Sequence, residues 1–259
     1  MLDITMEGGV GVISLARPEK HNAFNGELVQ LLMDAISTFR DDDRVRVVLI
    51  RSEGTSFCAG ADLAWMQGMV DRSEDENRKG AFEMGAMFRA LDSLPKPVVC
   101  RVQGAAIGGG VGLVACADIV VSSTRAKFGL SEVRLGLAPA VISPFVVRKM
   151  GEGQARRYFL TGERFDASRA LSLGLIHEVV QEESLDEAVD GILRALLLGG
   201  PCAQSASKML SRETRLDEPE LDALNADVIA RLRVSAEGQD GLKSFFSKAS
   251  PAWVKGEGA

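Results

Sequence analysis

The stretches Gly54-Thr-Ser-Phe-Cys-Ala-Gly-Ala-Asp62 and Gly104-Ala-Ala-Ile-Gly-Gly-Gly110 decide how this chain is read. Each places small residues where a β-rich run ends and a helical pattern begins. Backbone N–H groups at two such junctions can converge on one anion. In acyl chemistry that anion is the thioester or ester oxygen as it takes on charge, and each preset donor aimed at it contributes about 3–4 kcal/mol. The pattern therefore predicts an oxyanion-holding site.

The flanking sequence supplies the scaffold for these junctions. A short apolar run at 11–15 precedes helical spacing from Glu27 to Phe39, and 45–50 is rich in β-branched residues. Helical spacing is expected over 63–69 and again over 80–94, with the polar stretch 71–79 read as a surface connection. A strand follows over 98–102, a small-residue helix over 112–117, and another strand over 118–122. From about Ala167 the pattern turns helical. Alternation of strands and helices predicts an α/β fold with a largely parallel sheet and sites at the carboxyl ends of its strands. The division expected is a core over residues 1–199 and a helical region over 200–259.

Composition narrows the function. The 259 residues carry a formal charge of −6, which disfavours nucleic acid or an anionic membrane as partner. No apolar stretch reaches the ~20 residues a bilayer span needs, and the first residues show no cationic segment leading into an apolar one. Cys58, Cys100, Cys116 and Cys202 show no paired spacing and read as buried reduced thiols, so a cytoplasmic setting is expected. His21 and His177 are the only histidines and form no metal-binding spacing.

Two other motifs compete. Gly110-Val-Gly-Leu-Val-Ala115 formally fits a dinucleotide fingerprint, but extra residues separate it from its strand and the next strand ends in Ser122-Ser123 where a ribose-binding acid belongs. Gly129-Leu-Ser-Glu-Val133 resembles half of a nucleophile elbow without the closing glycine. Both rank below the oxyanion reading.

The segments Arg17-Pro-Glu-Lys-His-Asn-Ala-Phe-Asn25, Ser56-Phe-Cys-Ala-Gly-Ala-Asp62, Lys96-Pro-Val-Val-Cys-Arg-Val-Gln-Gly-Ala-Ala-Ile-Gly-Gly-Gly110, Ala117-Asp-Ile119 and Phe128-Gly-Leu-Ser-Glu-Val133 resemble, in order and spacing, the enoyl-CoA hydratase/isomerase (crotonase) superfamily. Within it, the stretches around 108–113 and 128–143 look most like bacterial methylglutaconyl-CoA hydratases. The resemblance implies a crotonase-like core of repeated ββα units with a C-terminal helical region that builds trimers or hexamers. It implies coenzyme A as part of the thioester substrate, with no prosthetic group and no metal.

By the same resemblance Ala61 and Gly109 supply the oxyanion N–H groups and Glu132 the catalytic carboxylate. Lys20, His21, Ala23, Ala59, Asp62, Leu63 and Lys248 fall at coenzyme A-binding positions. Asp62 has an equally direct structural role at the start of its helix. The family's first glutamate falls on Gly112. That departure suits a branched enoyl thioester hydrated by one carboxylate on one face, or a double-bond isomerase. A catalytically silent scaffold is the third reading.

Overall fold

The computed structural model describes residues 1–212 and 218–254; residues 213–217 and 255–259 of the expected helical region lie outside the described residues. The order is β1 (Leu2–Glu7), β2 (Val10–Leu15), α1 (Gly26–Asp41), β3 (Val47–Ser52), β4 (Ser56–Cys58), α2 (Leu63–Gln67), α3 (Glu74–Asp92), β5 (Val98–Val102), β6 (Ala105–Ile107), α4 (Gly109–Cys116), β7 (Ile119–Ser123), β8 (Lys127–Gly129), α5 (Ser143–Met150), α6 (Glu152–Thr161), β9 (Arg164–Asp166), α7 (Ala167–Ser172), β10 (Glu178–Val180), α8 (Leu185–Leu197), α9 (Pro201–Leu210), α10 (Glu218–Val234) and α11 (Ala236–Ser247). The fold is α/β, as expected. Successive ββα units recur: β1-β2-α1, β3-β4 with α2 and α3, and β5-β6-α4.

From the second unit onward each pair of strands splits between two sheets. The larger sheet has the order β1-β2-β3-β5-β7-β10, the smaller β4-β6-β8-β9. All pairings in the larger sheet are parallel except β1 with β2. Alternation along β3 explains how this sheet is covered on both sides. Val48 and Ile50 face the main core with α1, α3 and α4, while Val47 and Leu49 meet Leu185, Val189 and Leu193 of α8. The strand is buried over Val47–Ile50, which is why it reads as a continuous apolar run.

Several boundaries differ from the sequence expectation. Helix α3 begins at Glu74, because the Ser73 hydroxyl accepts from the Glu76 N–H while the Glu76 side chain accepts from the Ser73 N–H. That capping box draws the polar stretch into the helix. Helix α4 begins at Gly109, three residues before the expected start. β10 interrupts the segment expected to be helical, joining β7 in parallel. Cys58, Cys100 and Cys116 are buried, but Cys202 is exposed: it stands in the first turn of α9, with its N–H directed at Glu237. The dinucleotide reading fails on topology, since β6 stands between β5 and α4.

The C-terminal helices are tied to the core by polar contacts. The Arg46 guanidinium donates to the Gly199 and Trp253 carbonyls, at 2.5 and 3.1 Å. Lys208 pairs with Asp118 at 2.6 Å and is largely withdrawn from solvent. No helix of the described residues is long and apolar enough to cross a membrane.

Just before β10, His177 accepts the Val120 N–H on ring Nδ1 at 3.0 Å while its main-chain N–H donates to Val120 O at 3.0 Å. Burial pushes its pKa down, and Lys149 adds to that while Asp118 opposes it. The neutral ring is thus favoured in the fold. Stability is fully present above the unfolded-state value, about 6.5, and is lost as pH falls from there through the lower folded value. Thermal unfolding of the wild type is expected to drop more steeply than that of His177→Gln between about pH 7.5 and 5.5; parallel curves would show that this bond contributes nothing.

Candidate active site

The two glycine-rich junctions meet because β4 and β6 are neighbours in the smaller sheet, pairing Ser56 with Ala105 and Cys58 with Ala106. Past these strands the main chain of one junction touches the other. A Cβ on Gly60 would lie 3.0 Å from Ile107 O, and one on Gly108 would lie 3.9 Å from Gly60 Cα. Gly108 adopts φ +52 and ψ −117, and Gly60 has φ +92. Both conformations are open to glycine and costly for other residues.

Phe24 seats both junctions. Its N–H donates to Gly60 O at 2.6 Å and its carbonyl accepts from Asp62 N–H at 2.8 Å, forming a bridge opposite Ala61. The Ala61 N–H therefore points to the other side of the chain. The Phe24 ring, fully buried, lies 3.0 Å from a Cβ placed on Gly109. Gly109 is the first residue of α4, where main-chain N–H groups lack intrahelical partners and the helix dipole favours negative charge. Among the described residues neither the Ala61 nor the Gly109 N–H donates to a protein acceptor.

Glu132 reaches the same point from a 3₁₀ turn that follows β8. β8 is held to this site by Gly108 N–H donating to Gly129 O at 2.9 Å. The carboxylate comes within 3.0 Å of the Cβ position of Gly108 through Oε1, while Oε2 is buried with no hydrogen-bond partner. Burial pushes its pKa up, slightly opposed by its own N–H. A half-buried carboxyl with an unused oxygen beside two free N–H donors can move a proton to or from a carbon whose neighbouring carbonyl carries charge.

Position 112 offers no room for a second carboxylate. A Cβ there would lie 2.5 Å from Ile142 Cγ2 and 2.8 Å from the Phe88 ring. The missing glutamate is thus replaced by packing, not by water.

The expected coenzyme A-binding residues gather on the outer side of the Ala61 junction. Lys20 and His21 stand exposed on a 3₁₀ turn. His21 lies 3.0 Å from the Ser56 hydroxyl through Nδ1, and its carbonyl accepts from Ala59 N–H at 3.0 Å. Ala59 and Leu63 are exposed, while Ala23 is buried. Asp62 is committed to structure: Oδ1 accepts from Ala64 and Trp65 N–H groups at the start of α2, and Oδ2 pairs with Arg17 at 2.8 Å. The Trp65 and Ala64 N–H groups, with Arg17, hold its carboxyl below the usual range. Lys248 is exposed, ending α11 in a left-handed conformation, far along the chain from this cluster.

Sequence reading passed over Asn22. It is fully buried with φ +55, accepts Arg17 N–H at 2.9 Å, and donates to Glu53 O and Ser56 O at 2.8 and 2.9 Å. It fastens the 17–25 segment to the Ala61 junction. The signal was present as Arg17-Pro-Glu-Lys-His-Asn, where an asparagine can take a left-handed turn. Two surface cavities lie elsewhere, one of about 520 Å³ including Lys127 and Arg164, the other of about 140 Å³ including Asp92 and Lys149. Neither touches Glu132, Ala61 or Gly109.

Comparison with known proteins agrees with this geometry. Residues 5–256 match the Enoyl-CoA hydratase/isomerase family model. The crystal structure of an enoyl-CoA hydratase from Shewanella pealeana superposes with a TM-score of 0.94 at 42% identity, covering 97% of this chain and 95% of that one. A crotonyl-CoA hydratase of Syntrophomonas wolfei is 31% identical over 96% of this chain and 95% of its own length, and a 1,2-epoxyphenylacetyl-CoA isomerase of Escherichia coli is 32% identical over 96% of each. With the whole ββα core and both glycine junctions accounted for, the chain belongs to the enoyl-CoA hydratase/isomerase family.

Proposed function

We propose that this enzyme hydrates an enoyl-CoA thioester, and dehydrates the corresponding 3-hydroxyacyl-CoA, using Glu132 alone. The reading rests on the buried, unpartnered Glu132 oxygen, with the other carboxylate oxygen beside Gly108, and on the Ala61 and Gly109 N–H groups of the adjoining junctions, which meet no protein acceptor among the described residues. In the hydration direction Glu132 takes a proton from water as the oxygen bonds to C3. The C2–C3 π electrons move into the thioester, whose oxygen the Ala61 and Gly109 N–H groups stabilise. Glu132 then returns the proton to C2 on the same face. Coenzyme A is carried as part of the substrate, held along Lys20, His21, Ala23, Ala59 and Leu63, with Asp62 shaping that wall and Lys248 reaching a phosphate from a second copy of the chain.

The acyl group we favour is 3-methylglutaconyl, giving 3-hydroxy-3-methylglutaryl-CoA. Its tertiary hydroxyl leaves readily in reverse, which lessens the need for the carboxylate missing at Gly112. The closed space at Gly112 also favours a second reading, a double-bond isomerase with one proton shuttle. The two separate by product: hydration removes the absorbance of the conjugated thioester, and isomerisation of a 3-enoyl thioester creates it.

We assign the region 200–259 to assembly with further copies. α10 and α11 expose Ile229, Val234, Leu242, Phe245 and Phe246, the last two at 76% and 78%. Apolar surface of this kind is costly in water. Light scattering is expected to give a mass of three or six chains, and Phe245→Ser with Phe246→Ser to lower it; a monomeric wild type would remove the assignment.

Glu132→Gln is expected to cut turnover by roughly 10²–10⁴-fold while raising the unfolding temperature at neutral pH. The sign follows from the raised pKa: ionising Glu132 costs stability as pH climbs from the unfolded value through the folded one, and glutamine has no charge to bury. For the same reason kcat/KM for hydration falls on acidification at a pH above that of an ordinary glutamate. Undiminished turnover in the Gln variant would dismiss the single-carboxylate mechanism.

A further inference from the structure

The ends of three helices and the side of a fourth meet at the cavity of about 140 Å³. Asp92 closes α3 there, Cys116 closes α4, Arg148 and Lys149 come from α5, and Arg212 follows α9. α4 runs from Gly109 to this point, so the cavity stands about 10 Å behind the oxyanion donors. Organic ligands take pockets of roughly 300–1,000 Å³. This one suits a small ion.

The acids around it are already committed. Asp92 pairs with Arg148 at 3.1 Å and with Arg212 at 3.2 Å, and its main-chain carbonyl also accepts from Arg212. Asp118 pairs with Lys208 at 2.6 Å and accepts the Val98 N–H at 2.8 Å. Lys149 is left over. Half-buried, it makes no hydrogen bond and no ion pair among the described residues. Burial pushes its pKa down, and Asp118 and Asp92 oppose this without pairing with it.

The charge balance is positive. Arg148, Lys149, Lys208 and Arg212 face Asp92, Asp118 and the partial negative charge at the end of α4, in a chain whose formal charge is −6. The guanidiniums are also held in place. That of Arg148 lies over the Phe145 ring, 5.6 Å from its centroid, and is tied to Asp92. Each of the two reaches Asp92 through one nitrogen, Nη2, and a guanidinium carries five N–H groups. Donors remain on both.

We propose that this cavity binds inorganic phosphate, with Lys149 as its principal partner and Arg148 and Arg212 beside it, and that the ion fastens α9 to α5. A tetrahedral dianion accepts from several directions at once, and its hydrogen bonds from ammonium and guanidinium groups are the strong, charge-assisted kind. It supplies the partner whose absence makes a half-buried ammonium costly. Binding here involves none of the groups assigned to the thioester, so it holds whatever reaction Glu132 performs.

Calorimetric titration of phosphate into the full chain, with sodium chloride holding ionic strength constant, tests this. Wild type is expected to bind phosphate, and Lys149→Met and Lys149→Gln to bind it roughly 10- to 100-fold more weakly, the loss of one charge-assisted bond. Lys149→Arg retains most of the affinity. Phosphate is expected to raise the unfolding temperature of wild type more than that of Lys149→Met, which shows only the general salt effect. In phosphate-free buffer Lys149→Met unfolds no lower than wild type, so its lost response is not lost folding. No binding by wild type, equal affinity in Lys149→Met, or binding that survives in Lys149→Met and disappears in Lys20→Met with Lys248→Met overturns the proposal.

Discussion

The two glycine junctions can serve one site only if their main chains touch. Gly60 against Ile107 and Gly108 leaves no space for side chains between them, and this contact depends on three-residue strands β4 and β6 pairing just upstream. The Phe24 segment hydrogen-bonds to one junction, and its ring fills the space beneath the other. Asn22 in turn fixes the loop that carries Phe24. The placement of the two junctions is therefore a property of main-chain packing, set before any ligand arrives, which is what the proposed electrostatic stabilisation requires.

Glu132 shows the complementary logic. It sits on a short turn that follows β8, which Gly108 N–H to Gly129 O ties to the second glycine junction. Its second oxygen is buried without a partner, a cost that nothing in the folded chain offsets. On the proposed function a substrate atom partners this oxygen, and the protein trades stability for reactivity at this position.

The larger sheet was legible because its strands are apolar and β-branched over five or six residues, as at Val47–Ile50. The smaller sheet was not: β4, β6, β8 and β9 are three residues each, too short for any period to register. The start of α3 was missed because Asp71 to Lys79 is polar, although Ser73 and Glu76 encode its cap. Ala61, Gly109 and Glu132 are reached through the family resemblance, and the structure brings their segments together, while Asp62 was legible as a cap from its place before a helix. Asn22 was not legible, since its partners Glu53 and Ser56 are distant in sequence. The exposure of Cys202 depended on which way a helix turned, which its small neighbours did not reveal.

Close packing around Gly112 bears on how such enzymes diverge. Phe88 and Ile142 fill the space that any side chain at position 112 would need, so a glutamate introduced there by one substitution meets a steric barrier. At least one of those two neighbours must shrink first, and shrinking it alone leaves a void in the core. A side chain at this position therefore requires coordinated repacking of the core and not a single exchange.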